Sequence, residues 1–574
     1  YMETKEQYKD CILFYRLGDF YEMFFDDAIV ASKELEIALT GKSCGLEERA
    51  PMCGIPYHAV ETYLARLVSR GYKVAICEQV EDPKLAKGLV KREVIRVVTP
   101  GTNLDVQSLE ASKNNYLMCI AYTSDGIGIS AADVTTGDYY VTEVEDLRKL
   151  KDELMKYEPS EIICNEAFLV SGYDVEDLKS RLHMSVSSLE SHMFDDDGCR
   201  RILMRHFKVN TLIGLGVEEF PTGILAAGAL LQYLYDTQKT DLEHFTHISP
   251  YLTSKYMLLD SSTRRNLELT ETLREKQKRG SLLWVLDKTK TAMGGRLLRN
   301  YIEQPLIDKE EMEKRLDAIQ ELNQDSISRD EIREYLNPVY DLERLLSKVT
   351  YKTANPRDLI AFRNSLQMLP PIKTVLAGFQ KEELAAIREE IDGLEDIYQL
   401  IDEAIVEEPP ISIREGGMIK DQFDETIDHL RAAKHDGKQW LVQLEEEDRE
   451  RTGIKNLKIK KNNVFGYFFE VTNSYKDLVP EDYIRKQTLA NAERYTTPRL
   501  KELEDTILNA EDKLQTLEYD IFCRIRDTIA QELVRIQNTA KALAKLDVYA
   551  SLSLVSERNH YVRPKLNEKG VIDI

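Results

Sequence analysis

The spacing of apolar positions in the first 240 residues is typical of short strands alternating with helices. Six runs have the length and composition of strands: 12–15, 74–77, 94–98, 116–122, 126–134 and 138–144. A further stretch, 154–164, has the pattern of a helix end that leads into another strand. Pro100-Gly101 interrupts the chain between the third and fourth runs. This break predicts two successive α/β units.

From about Leu242 onward the strand signals fade and long helical patterns dominate. Residues 500–554 contain neither Pro nor Gly, and their apolar positions recur every three or four residues in a heptad-like stripe. An unbroken helix over this stretch would be about 80 Å long, which is more than a compact domain requires. The pattern therefore predicts a strut.

A shorter helical stripe over 423–444 precedes the strut, and the residues between the two helices change to a period of two. In this insertion, 453–495, Leu457 and Ile459 alternate with lysines, and a run of aromatic and β-branched residues follows. Such alternation predicts a β-rich tip carried by two helical arms.

The composition agrees with a large globular protein. The chain has 574 residues, 43% hydrophobic and 31% charged, which suggests roughly three to five domains. We find no apolar run of membrane-spanning length and no secretory signal, and we expect a protein of the bacterial cytosol, associated with the nucleoid. The eight cysteines form no Cys-x-x-Cys pair. Cys44, Cys53 and His58 match no common zinc spacing, so we expect no metal.

The net charge of −23 argues against a general polyanion binder, but two basic islands stand out on this acidic chain. Residues 84–96 hold five basic residues and one acidic residue: Lys84, Lys87, Lys91, Arg92 and Arg96 against Glu93. Residues 455–494 hold eight basic and five acidic residues. Taken alone, either island is better explained by an ordinary solvated face than by DNA contact. The second lies on the predicted tip, where contact with a phosphate backbone is the natural use.

The most informative local sequence is Leu13-Phe14-Tyr15-Arg16-Leu17-Gly18-Asp19-Phe20-Tyr21-Glu22-Met23-Phe24. A strand is predicted to meet Gly18-Asp19, where a helix begins. On a purely structural interpretation, Asp19 caps the helix and Glu22 completes a capping box.

A functional interpretation of the same residues makes Phe20 a wedge in the minor groove. Separating stacked base pairs costs least where pairing is already defective, so an inserted ring selects mispairs by deformability. A carboxylate such as Glu22 is repelled by phosphates and is useful only if a displaced base offers it a donor.

This stretch resembles the Gly-Asp-Phe-Tyr-Glu signature of the MutS family of mismatch-repair proteins. The similarity continues in family order through the whole chain, in 52–59, 74–79, 97–102, 262–268, 465–467 and 485–495. The resemblance implies a multidomain fold, α/β followed by mainly α, that binds mispaired or unpaired bases in duplex DNA to initiate repair.

The family layout predicts a mismatch-recognition domain (1–112), an RNase H-like connector (113–243), a helical lever (244–437 and 498–560) with an inserted β-rich clamp (438–497), and the start of an ATPase domain (561–574). It places mismatch contacts on Phe20 and Glu22 and a DNA contact on Lys42. The remaining expected DNA-binding residues are the clamp cations Lys455, Lys458, Lys460, Lys461, Arg485, Lys486 and Arg494.

Members of the family continue into an ATPase, but this sequence has no Gly-x-x-x-x-Gly-Lys-[Ser/Thr] motif. Gly41-Lys42-Ser43 matches only its end, since Glu36 stands where the first glycine belongs. We therefore expect no catalytic residue and no cofactor in these residues, with ATP and magnesium bound only by the ATPase domain of the longer protein, a DNA-dependent ATPase. The resemblance also implies a homodimer and a MutL-type partner.

Three alternatives remain open on the sequence. A relative that binds branched DNA is expected to lack the Phe-x-Glu pair. A helical scaffold could keep the fold and bind only proteins. A nuclease acting through Asp133 would need further converging acids, and capping of a turn is the simpler role for this residue.

Overall fold

The computed structural model describes residues 1–45, 47–81 and 88–574. Their contacts define two compact units, one made of Tyr1–Thr353, Asn364–Leu394 and Glu532–Ile574 and the other of Ala354–Arg363 and Glu395–Gln531. These units do not correspond one to one to the predicted domains, so the predicted domain boundaries stay predictions.

The first α/β region is a six-stranded sheet with the strand order β3-β4-β2-β1-β5-β6. Strands β1 and β5 are parallel, and the other neighbours are antiparallel. Helices α2 and α3 cover one face, where Phe14, Met23 and Ile55 are buried. The elements are α1 (Met2–Gln7), β1 (Cys11–Leu17), β2 (Phe20–Phe24), α2 (Phe25–Leu35), β3 (Thr40–Lys42), β4 (Ala50–Pro56), α3 (Val60–Ser69), β5 (Lys73–Gln79) and β6 (Arg92–Val98).

The second region is another six-stranded sheet, ordered β11-β10-β7-β8-β9-β12. Its elements are β7 (Leu117–Thr123), β8 (Gly126–Asp133), β9 (Asp138–Val144), α4 (Leu147–Tyr157), β10 (Glu161–Cys164), α5 (Glu166–Leu169), α6 (Val175–Ser180), β11 (Ser185–Ser188), α7 (Asp196–Phe207), α8 (Pro221–Gln238) and β12 (Ser249–Pro250). Helix α8 packs so closely on β8 that a Cβ at Gly128 would lie 1.9 Å from the Thr222 carbonyl oxygen. Glycine is therefore required there.

The link between the two sheets is anchored by buried arginines of the helical region. The Arg296 guanidinium donates to the Ala111 carbonyl at 2.8 Å, and Arg344 donates to the carbonyls of Glu110 and Lys113 at 3.1 and 3.0 Å. Asp341 accepts from Arg296 at 2.8 Å and compensates part of this buried charge. The first sheet is thus tied to the helices by specific contacts.

A helical region follows, in which α21 forms the centre of the first unit. Helices α11, α12, α13, α14 and α17 pack around it, and its core residues, such as Val548, are buried. The helices are α9 (Ser261–Asn266), α10 (Leu282–Leu286), α11 (Ala292–Glu303), α12 (Lys309–Gln324), α13 (Ser326–Leu336), α14 (Leu342–Thr350), α15 (Pro356–Leu366), α16 (Leu369–Leu376), α17 (Glu382–Glu390), α18 (Glu395–Ala404), α19 (Glu425–Thr452), α20 (Pro498–Ala530) and α21 (Leu533–Arg558).

Helices α19 and α20 are the two arms predicted around the insertion. They approach closely at Gly437, where a Cβ would lie 2.6 Å from Cγ1 of Ile507. The insertion forms a four-stranded antiparallel sheet, ordered β13-β14-β16-β15, with β13 (Lys458–Asn462), β14 (Gly466–Thr472), β15 (Ile484–Thr488) and β16 (Ala492–Thr496). The predicted β-rich tip is therefore confirmed.

The single helix predicted over 500–554 is wrong. Helix α20 has 33 residues, about 50 Å, and ends at Ala530, and α21 begins at Leu533 after a turn. Apolar spacing did not reveal this break, because the turn contains neither glycine nor proline and both helices keep apolar faces.

The predicted fold class, α/β followed by mainly α with a small β insertion, is confirmed. The strand runs predicted in the first 164 residues lie in β1 and β5 to β10. Among the residues described, no helix combines the length and apolarity needed to cross a membrane.

Candidate nucleic-acid interface

Phe20 and Glu22 lie on a strand and not in a helix, which corrects the prediction that a helix begins at Gly18-Asp19. Gly18 and Asp19 form the turn of a hairpin in which Leu17 pairs with Phe20. Gly18 adopts a φ of +59°, a conformation that glycine reaches without strain and that suits the first position of a two-residue turn. The capping box of Asp19 and Glu22 therefore does not form, and helix α2 begins only at Phe25.

Alternation along β2 places Phe20 and Glu22 on the same face of the sheet. Tyr21 and Met23 point to the opposite face and are buried beneath α2 and α3. Phe20 is 47% exposed. Nothing in the core requires this ring, so it is available to a ligand.

Lys42 reaches Glu22 across the sheet. The strand order β3-β4-β2 separates them by one strand, and the Lys42 ammonium lies 2.6 Å from Oε2 of Glu22. Gly54 on β4 is the register partner of Glu22 and carries no side chain, whereas the register partner of Lys42 is Ala50. The structure thus places Lys42, for which the sequence predicts a DNA contact, beside one of the two residues predicted to contact the mismatch. We name Phe20, Glu22, Lys42 and Gly54 the wedge face.

Hydrogen bonds and stacking hold the base of the wedge. The Tyr57 amide donates to the Asp19 carbonyl at 3.0 Å, and the Arg16 guanidinium stacks 3.8 Å from the Tyr57 ring centroid. Glu78 accepts from Arg16 at 3.2 Å and from the Tyr21 hydroxyl. Burial, followed by this hydrogen bond, raises the pKa of Tyr21. The hairpin is therefore held in one geometry before any ligand binds.

Arg92 is a further cation on this side of the sheet. Sequence analysis placed it in the first basic island but assigned it no specific role. Its guanidinium donates to the Arg16 carbonyl at 2.8 Å and lies 5.4 Å from the ring of Tyr15, the register partner of Glu22. Arg92 lies opposite Gln79 in the pairing of β5 with β6, and this pairing sets the face on which Arg92 lies. A prediction of that pairing would have been the signal for placing Arg92 near the wedge face.

Two further described cations of the first basic island, Arg96 and Lys91, are engaged in contacts away from the wedge face. Arg96 is packed against the second sheet, donating to Gln238 at 3.2 Å and to the Thr102 carbonyl, and burial lowers its pKa. Lys91 pairs with Glu93 at 2.6 Å. Lys84 and Lys87 lie outside the described residues. Of the described cations of the island, Arg96 and Lys91 are therefore held by other contacts and only Arg92 lies at the wedge face.

The four-stranded sheet of the insertion, formed by β13 to β16, carries the predicted clamp cations, and we name it the clamp sheet. One of its faces packs on α19 and α20 through Phe469, Val471 and Tyr495. The opposite face carries Lys458 and Lys460, both exposed, on β13. On this face the two lysines of β13 are open to a partner, whereas Phe468 on β14 is buried beneath Arg494.

Acidic neighbours already contact several of the predicted clamp cations. The Lys460 ammonium lies 2.7 Å from Glu470, which is also 3.7 Å from Arg494. Arg485 lies 3.7 Å from Glu493. A hydrogen bond from the Tyr495 hydroxyl, followed by the charges of Lys476 and Arg485, lowers the pKa of Glu493. The positive charge of the clamp sheet is therefore partly balanced.

The remaining clamp cations differ in exposure. Lys455 is exposed in the turn before β13, and Lys461 lies 5.2 Å from the Tyr467 ring on the helix-facing side. Lys486 donates to the Phe465 carbonyl at 3.2 Å. Arg494 is mostly covered, stacks 4.5 Å from Phe468 and donates to Gln487. Lys458 and Lys460 are consequently the best placed for a ligand on the open face.

Asp133 caps a turn, as predicted. Its carboxylate accepts from the Thr135 amide at 2.8 Å and from the Asn115 amide at 3.1 Å. Burial, followed by the charge of Asp133, raises the pKa of the neighbouring Asp138. Over 1–45, 47–81 and 88–574, no three His, Cys, Asp or Glu side chains converge in a way that could hold a metal ion. Cys53, from the weak zinc pattern, is buried in the core and Cys44 is exposed.

The fold and the two faces define a multidomain protein with two α/β sheets, a helical centre and a small basic sheet on helical arms. The sequence matches MutS domain I over residues 1–107, MutS domain II over 115–248 and MutS domain III over 262–553. The chain belongs to the MutS family.

Three curated relatives are each called DNA mismatch repair protein MutS. The protein of Lachnoclostridium phytofermentans is 65% identical over 574 residues. Those of Ruminiclostridium cellulolyticum and Acetivibrio thermocellus are 54% and 52% identical over 577 and 579 residues. Each comparison covers 100% of this chain, which spans 62% of the first relative and 66% of the other two.

Proposed function

We propose that this chain binds mispaired or unpaired bases in duplex DNA and thereby initiates mismatch repair. The observation that carries the proposal is the exposed ring of Phe20, held at a rigid hairpin with Glu22 on the same face. The family membership and the names of the relatives support it.

Phe20 acts as the wedge in this proposal. Inserting its ring between base pairs costs a few kcal/mol of unstacking, and the cost is least where pairing is defective. Because Phe20 is half exposed in the free protein, insertion needs no rearrangement of the core. The mispair is therefore selected by its deformability.

Glu22 contacts the edge of the displaced base. A bare carboxylate in a groove would be repelled by phosphates, but the Lys42 ammonium at 2.6 Å neutralises it locally. Lys42 is 42% exposed and is also positioned to meet the DNA backbone. A base whose donor is not paired gives Glu22 a hydrogen bond that an intact pair withholds.

The clamp sheet supplies affinity without sequence preference. Lys458 and Lys460 on its open face contact phosphates, with Lys455, Lys461, Arg485, Lys486 and Arg494 contributing to the positive surface. Phosphate contacts fix position and carry no base information. The wedge face then decides which site on the duplex is held.

The chain spans 62% and 66% of the length of two of its relatives, and in this proposal a longer protein adds the expected ATPase activity with ATP and magnesium. A homodimer and a MutL-type partner belong to the same proposal, as does a location in the bacterial cytosol. No residue of the chain is assigned to ATP or magnesium, and Gly41-Lys42-Ser43, which matches the end of a phosphate-binding loop, ends strand β3.

The test is a binding titration of this chain with four DNA molecules at one salt concentration. The set contains a G·T heteroduplex, a duplex with one unpaired base, a matched duplex of the same length and a four-way junction. We expect tighter binding to the first two. Tightest binding to the junction would support the branched-DNA alternative, and no binding to any of them would support the protein scaffold.

A further inference from the structure

Gly54 occupies a central position of the wedge face without an evident backbone requirement for glycine. It lies on β4, is the register partner of Glu22 on β2, and stands two residues past Met52, where the pairing of β4 with β3 ends. Its φ is outside the left-handed region, in contrast to Gly18 in the hairpin turn. Glycine weakens a strand interior and is typical of sites where a ligand or another backbone approaches closely.

Close packing does not require glycine at this position either. A Cβ at Gly54 would lie 3.4 Å from the Tyr21 carbonyl oxygen, 3.7 Å from Cγ of Glu22 and 3.8 Å from Cδ1 of Phe20, all ordinary van der Waals distances. By comparison, a Cβ at Gly128 would overlap the backbone of α8. An alanine would therefore fit at residue 54 in the free protein.

The added atom would stand between the two residues that carry recognition. Its nearest side-chain neighbours are the ring of Phe20 and the methylene of Glu22. A side chain at residue 54 would fill the space beside the ring and below the carboxylate. The free protein does not use that space.

We propose that Gly54 is a specificity-determining position, which keeps open a notch that receives the edge of the displaced base. The proposal rests on the proposed function, since it names where the base goes once Phe20 is inserted. A planar base that stacks on Phe20 and bonds Glu22 must pass over the neighbouring position on β4, where a Cβ at Gly54 would lie 3.8 Å from the Phe20 ring and 3.7 Å from Glu22. Only a residue without a side chain leaves that position free.

The test compares Gly54→Ala and Gly54→Val with the parent chain on G·T and matched duplexes. Both variants should fold with an unchanged or higher melting temperature, because alanine and valine are more favourable than glycine in the interior of a strand. Affinity for matched DNA should be unchanged. Preference for the heteroduplex should fall by about tenfold for alanine and by more for valine, since one methylene in a tight pocket already has effects of this size.

Gly214→Ala is the matched control. Gly214 is exposed, its φ is outside the left-handed region and no atom lies within 4 Å of its ideal Cβ, so the same substitution should leave all affinities unchanged. Preference retained in both Gly54 variants overturns the proposal, as does an equal loss on both duplexes. Should valine prevent folding, alanine alone decides. A parent chain with no preference defeats the proposed function instead, so the two failures are distinguishable.

Discussion

The wedge face and the clamp sheet are both the uncovered sides of sheets whose other face packs on helices, yet they differ in what they expose. The wedge face presents one aromatic ring, one glycine and an acid already paired with a lysine. The clamp sheet presents lysines on alternate positions, partly balanced by Glu470 and Glu493. Neutral, rigid surface suits discrimination, whereas distributed charge suits affinity.

The largest change in absolute affinity should follow from reversing charge on the clamp sheet. Lys458→Glu with Lys460→Glu should weaken matched and mismatched DNA equally, by roughly ten- to a hundredfold at low salt, and flatten the slope of log affinity against log salt by about 1.8. Titrations at several salt concentrations measure both effects.

Lys309→Glu with Lys381→Glu is the control for that pair. It changes the net charge by the same amount, at exposed positions beside the starts of α12 and α17, where acids are tolerated. The control should keep the parent slope. An unchanged slope in the clamp variant would mean that its lysines are only solvated.

The next largest effect should appear in the ratio of affinities. Phe20→Ala removes the ring and should reduce preference for the heteroduplex by about 1–3 kcal/mol, the usual range for base–aromatic stacking, while binding to matched DNA changes little. The melting temperature should hold, since the ring is half exposed. Trp284→Ala, at another exposed aromatic, should leave the ratio intact. Equal losses on both duplexes for Phe20→Ala would contradict the wedge.

A smaller effect is expected from Glu22→Gln, which keeps a hydrogen-bonding group but removes the charge. The ranking of a panel of mispairs should change, because different displaced bases offer different donors. Lys42→Met separates this effect from loss of the ion pair at 2.6 Å. If both variants change the ranking of mispairs, the effect belongs to the Lys42–Glu22 ion pair. If Glu22→Gln leaves the ranking unchanged, Glu22 takes no part in recognition.

The smallest effect concerns stability alone and should leave both faces unaffected. Burial raises the pKa of Glu303 to about 7 from its ordinary 4.5. The folded protein then binds more protons than the unfolded chain between these two values, so the free energy of unfolding decreases as pH rises through this window. Glu303→Gln should flatten this part of the dependence of melting temperature on pH. A dependence unchanged in the variant would exclude Glu303 as its source.

Much of the architecture could be predicted because apolar period and strand runs reflect burial directly. The β-rich insertion between two helical arms followed from the switch to alternation at Leu457 and Ile459. The residues of the wedge face that the sequence named, Phe20, Glu22 and Lys42, came from the family resemblance. Their proximity could not be predicted, since it depends on the order β3-β4-β2.

Two predictions, the helix at Gly18-Asp19 and the single helix over 500–554, were wrong because the local residue pattern fits more than one structure. A Gly-Asp dipeptide followed by Phe20 and Glu22 fits a capped helix as well as a hairpin, and only pairing with β4 decides between them. The available signal for a strand was the alternation of Tyr21 and Met23, both buried in the structure, with Phe20 and Glu22. The turn after Ala530 had no such signal in residue type.

The separation of discrimination from affinity is tested most directly by one experiment on the unaltered chain. Affinities for a G·T heteroduplex and its matched counterpart are measured across a salt series and plotted as log affinity against log salt. The account predicts two nearly parallel lines, offset in favour of the heteroduplex, with slopes that differ by less than about 0.9, the contribution of one phosphate contact. Coincident lines, or slopes that differ by two contacts or more, would contradict it.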